Sequence, residues 1–155
     1  MSEENQAGGR EARRIADQLA RSWRGEAWHG PSVHEILKDV DEEKARRRLI
    51  PETHTIWELL LHASTWERVA LLRVRGQAYE PPEDENFRTE SGSWADAISA
   101  ADAIHDELVA EVKGLSDDRL WEKSPGCVYN NYFLLHGVVQ HNLYHAGQMT
   151  ILAKG

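Results

Sequence analysis

The chain is poor in cysteine, in positive charge and in long apolar runs, and each shortage removes a class of explanation. A single cysteine, Cys127, among 155 residues leaves no internal disulfide, which fits a reducing compartment. No apolar run approaches the ~18–20 residues that a membrane-spanning helix needs. The opening Met1-Ser2-Glu3-Glu4-Asn5-Gln6 has neither the basic nor the apolar region of a secretion signal. The expected location is the cytoplasm, with no membrane partner. Eighteen Lys and Arg against 26 Asp and Glu give a net charge of −8, a field that repels polyanions, so no nucleic-acid partner is expected. The one basic cluster, Lys44-Ala45-Arg46-Arg47-Arg48, follows Asp39, Asp41, Glu42 and Glu43 and reads as a solvated helix face. Phosphate-cradling glycine loops, nucleophile elbows and Cys-x-x-Cys pairs are missing too. So are convincing strand alternation and any internal repeat.

What remains is helical periodicity. Residues 1–9 are polar, end in Gly8-Gly9 and read as a disordered leader; 10–155 is one domain's length, enough to bury a core without a metal staple. Ala12, Ile15, Ala16, Leu19, Ala20 and Trp23 recur at steps of three and four and predict a first long helix from Arg10 to Gly25. Ser32 with Glu35 forms a capping box for a short helix through Ile36 and Leu37, and Thr55 with Glu58 forms another that opens a second long helix to about Arg75. Ser93 can cap a third, with Trp94, Ile98, Ala101, His105, Leu108 and Val112 inward, ending at Gly114. Asn131 can cap a fourth that continues to Ala153. The fold class is all-α, a four-helix bundle with short extra helices.

The fourth helix carries Gln140-His141-Asn142-Leu143-Tyr144-His145-Ala146-Gly147-Gln148. Histidines four apart lie about 40° apart around a helix and roughly 6 Å along it, so both imidazoles can reach one metal ion. They fall on the stripe Leu134, Val138, His141, His145, Gln148, Leu152, while His62 falls on the second helix's stripe Leu59, His62, Trp66, Val69. His62, His141 and His145 are the expected ligands. Three nitrogens with an open position are the catalytic rather than the structural zinc pattern, and the ion could activate a water, polarise a carbonyl or bind a thiolate.

Gln148 is placed to hold a ligand imidazole in orientation. His105 is the candidate fourth ligand, and His54 could hang over the bundle mouth. His136 faces away, and His29 and His34 fall in a loop or first turn. Cys127 reads as an inert thiol and Glu67 as a solvated residue within reach of the rim. Trp28, Trp57, Trp66, Trp94 and Trp121 read as core and pocket walls. Phe133, Leu135, Val139, Leu143, Tyr144 and Ile151 lie outside the histidine stripe, a surplus that the Ile36–Leu37 segment or a second copy of the chain could cover.

Three segments together, Ala27-Trp28-His29-Gly30-Pro31-Ser32, then His54-Thr55-Ile56-Trp57-Glu58-Leu59 with His62 and Trp66, then Gln140 to Gln148, resemble the DinB/YfiT-like superfamily over nearly the whole chain. The resemblance implies an up-down-down-up bundle, often dimeric, with a divalent ion such as zinc or nickel on three histidines, which fall here on His62, His141 and His145. It also implies chemistry on a small-molecule substrate, as in relatives that are transferases or isomerases using low-molecular-weight thiols. The reading is a metal-dependent thiol S-transferase or hydrolase. Its rival is a non-catalytic metal- or ligand-binding bundle serving as a stress-response or interaction module.

Overall fold

A computed structural model describes residues 9–155. The expected leader lies outside that range except for Gly9, whose amide donates to the Leu115 carbonyl at 2.6 Å. The described chain is all-α, with no strand among its described residues. Its helices are α1 (Arg10–Arg24), α2 (Val33–Leu37), α3 (Glu42–Arg46), α4 (Ile56–Val74), α5 (Glu83–Asn86), α6 (Trp94–Gly114), α7 (Asp117–Trp121) and α8 (Asn131–Lys154). None of them is long and apolar enough to cross a membrane.

The helix starts follow their caps. Both capping boxes form: Ser32 with Glu35 opens α2, and Thr55 with Glu58 opens α4. Ser93 accepts from the Asp96 amide and starts α6. At α8 the cap is Asn130, whose side-chain oxygen accepts from the Phe133 amide at 2.9 Å. Asn131, the expected cap, is instead buried in the first turn and donates to the Arg119 carbonyl at 3.0 Å. Adjacent asparagines make the sequence signal ambiguous by one residue.

The four long helices pack in a closed cycle: α4 lies against α6 and α8, and α1 lies against the same two. Two apolar clusters fill the interior. One contains Trp23, Trp57, Leu60, Ala63, Ala101, Ala146 and Met149; the other contains Ile15, Leu19, Ala70, Leu108, Leu135 and Val138. Among the buried polar residues, one from each long helix joins a single connected group: Ser22 from α1, Glu67 from α4, His105 from α6 and Asn142 from α8. Asn142 Nδ2 donates to Glu67 Oε1 at 2.8 Å and to Ser22 Oγ at 3.3 Å, and His105 Nδ1 lies 3.0 Å from the same carboxylate oxygen. A hydrogen-bonded layer thus joins all four helices across the core.

The buried face of α8 is rotated slightly from the expected stripe. Leu135, expected outside it, is fully buried, whereas His141 and Gln148 sit at the edge of the core. Ile36 and Leu37 of α2 join Ala146, Met149 and Leu152 in the first cluster, so α2 covers part of the surplus apolar surface. Phe133, Tyr144 and Ile151 remain exposed.

Candidate metal centre

At the edge of that interior, α4 and α8 bring three imidazoles together. His62 and His145 are buried and His141 is largely so, and the potential ligand atoms of all three lie within 4.8 Å of one another. His141 Nε2 stands 3.0 Å from His62 Nε2 and 3.1 Å from His145 Nε2.

The far sides of the rings decide what those nitrogens carry. His62 Nδ1 donates to the Asn86 carbonyl at 2.7 Å, and His145 Nδ1 donates to Gln148 Oε1 at 2.6 Å. These oxygens can only accept, so in the neutral rings Nδ1 holds the proton and Nε2 presents a lone pair. Two lone pairs therefore face His141 Nε2, which can offer at most one proton between them. His141 Nδ1 is buried with no partner. The centre is short of positive charge, and a cation among the three nitrogens would satisfy all of them.

Protonation does not supply that charge. Burial holds His141 down to about 3, helped by the positive fields that His145 and His62 would bring. His62 and His145 are also depressed, chiefly by burial, although the hydrogen bonds to Asn86 and Gln148 pull in the opposite sense. Neutral imidazoles are the form that ligates a metal.

The model of the DinB superfamily matches residues 27–149. The chain belongs to the DinB superfamily. No curated protein and no solved structure matches it. The DinB match takes in all three clustered histidines and Gln148, and begins three residues beyond the end of α1.

Within this DinB-superfamily chain the other sequence candidates sort clearly. His105 is no fourth member of the group: its Nδ1 is committed to Glu67, and its ring stacks on Trp23 with centroids 5.0 Å apart. Glu67 is not a solvated rim residue, because it is fully buried and bound by His105 and Asn142. A charged residue one step off a buried stripe reads as solvated until a partner on another helix is known. Cys127, His136, His29 and His34 also lie outside the group; His34 Nε2 pairs with Asp102 at 2.8 Å. Trp57 and Trp94 are buried as expected, but Trp28 and Trp121 are exposed.

Two neighbours of the site come from α5 and the residue after it. Asn86 supplies its carbonyl to His62 and its side-chain oxygen to Trp66 Nε1 at 2.9 Å. Phe87 is sandwiched between His62 and His54, with ring centroids 3.9 and 3.8 Å away. His54 thus reaches the site through Phe87. Nothing in the spacing of this polar loop marks either residue as a neighbour of His62. Two recesses adjoin the group: one of about 340 Å³ lined by His54, Leu59, Gln148 and Ile151, and one of about 170 Å³ lined by Trp66, Tyr129, Phe133 and His141.

Proposed function

We propose that this protein is a metal-dependent enzyme of small molecules, a thiol S-transferase or a hydrolase, with one divalent ion held by His62, His141 and His145. Zinc or nickel suits three neutral imidazoles. When bound, such an ion supplies Lewis acidity, polarising a carbonyl or lowering the pKa of a water or thiol. The observation that carries the reading is the convergence of three Nε2 atoms with at most one proton to share among them.

The chain's own residues prepare that site. Asn86 and Gln148 fix the tautomers and orientations of His62 and His145, as partners behind ligand imidazoles commonly do. Phe87 covers one face of the His62 ring and keeps water from it. The four long helices serve as a four-helix bundle in the up-down-down-up order, holding the ligand helices α4 and α8 side by side. A homodimer in the cytoplasm completes the proposal, with a low-molecular-weight thiol as co-substrate.

The test is to load metal-free protein with zinc or nickel and assay it with low-molecular-weight thiols against electrophiles, and with small esters. Turnover that requires both metal and His141 supports the proposal. Tight metal binding without turnover across the panel would leave a metal-binding module instead.

A further inference from the structure

The smaller recess has features that the metal-ligand role leaves unexplained. Trp66, Tyr129, Phe133, Gly137 and Val138 line it together with His141, and its surface is almost wholly apolar. The polar atoms of its aromatic walls are already committed elsewhere. Trp66 Nε1 donates to Asn86, and the Tyr129 hydroxyl accepts from buried Arg73 at 3.1 Å. The rings are thereby pinned, and what faces the recess is their hydrocarbon.

Gly137 sharpens the case. It lies inside α8, where glycine is less stable than alanine. Its backbone has no positive φ, and a Cβ built there meets nothing within 4 Å. Neither conformation nor packing calls for glycine, and Gly137 is itself part of the recess wall, with open space where a side chain would begin.

From these observations we infer that the recess is a binding site for a single aromatic ring of the substrate, placing the atom attached to that ring beside His141. The recess is open to solvent on one side and holds about 170 Å³, a volume of the order of the about 150 Å³ that takes up benzene in an enclosed apolar cavity. The larger recess shares no lining residue with it and reaches the centre through Gln148, which leaves separate space for a second reactant. The substrate class is then a benzyl- or phenyl-bearing molecule with its reactive atom within one or two bonds of the ring. This inference rests on the metal reading for where the reactive atom sits, but not for the ring site itself.

The test titrates the full chain loaded with Co²⁺ with phenylmethanethiol and with ethanethiol, following the sulfur-to-cobalt absorption band. The wild type is expected to favour the ring-bearing thiol, and Gly137→Leu to cut that preference at least fivefold. Phe133→Ser, at an exposed wall position, is expected to cut it in the same direction should Gly137→Leu not fold. A smaller drop in the variant that folds overturns the inference. If neither thiol produces the band, the metal reading fails and a second measurement decides the recess alone. In metal-free protein, benzyl alcohol is expected to shift the Trp66 indole NMR resonance in the wild type but not in the folded variant. No shift in the wild type, or equal shifts in both, overturns it.

Discussion

Replacing Glu67 by alanine should be among the most damaging single changes available to this fold, although Glu67 touches none of the three clustered histidines. The carboxylate is 0 % exposed and accepts from His105 Nδ1 and Asn142 Nδ2. In Glu67→Ala both donors lose that acceptor in a core where His105 Nε2 and Asn142 Oδ1 already lack partners. Each buried group left unsatisfied costs ~1–3 kcal/mol, and the lost side-chain volume adds ~1 kcal/mol. The sum is ~3–7 kcal/mol, which takes in the ~3–5 kcal/mol found when one partner of a buried ion pair is removed. For a chain of this length the middle of that range is a fall of roughly 10–20 °C in melting temperature. Urea unfolding of the metal-free protein, followed by helical circular dichroism, measures it directly. The triple change Glu67→Leu, His105→Leu and Asn142→Leu should be less harmful than Glu67→Ala alone, because it removes the desolvated groups together instead of orphaning two of them. A Glu67→Ala midpoint within ~1 kcal/mol of the wild type, or a triple variant weaker than the single one, would refute the reasoning.

Acid should destabilise the metal-free protein in a window set by His141. The unfolded chain takes up a proton near pH 6.5, whereas the fold refuses it down to about 3, so the unfolded state binds more protons between these values and stability falls as pH falls through them. Urea midpoints measured across that range should decline, and decline less in His141→Leu; equal slopes would count against the assignment. Chelation should leave helical circular dichroism intact, because the two apolar clusters and the polar layer are built from residues other than the three clustered histidines; collapse on adding a chelator would contradict this. Exposed Trp28 lines a further recess together with Val139 and Leu143, and light scattering at micromolar concentration should return twice 17.7 kDa for the proposed homodimer; the monomer mass alone would contradict it.

Helix existence was legible because it is local. Capping boxes at Ser32 and Thr55 and the 3.6-residue stripes need only neighbouring residues to be read, and they marked α2 and α4 at the correct cap. The histidine group was legible for the same reason on α8, and the added His62 needed only one inward stripe to meet another. What escaped was polar and long-range. Glu67 reads as solvated until its helix is packed, and its partner Asn142 lies 75 residues away in sequence. Leu135 was misplaced because α8 is apolar on several faces, which blurs the rotation of its buried side by about one position. Asn86 and Phe87 reach His62 from a polar loop, a contact that depends on how that loop folds back along α4.

The most direct test of the central claim is calorimetric titration of zinc into the metal-free full chain and into His62→Ala, His141→Ala and His145→Ala. Because two imidazoles compete poorly with buffer for zinc where three succeed, the wild type should bind about one ion per chain, and each variant should lose it or bind far more weakly. Equal stoichiometry and affinity in the wild type and all three variants would contradict the claim.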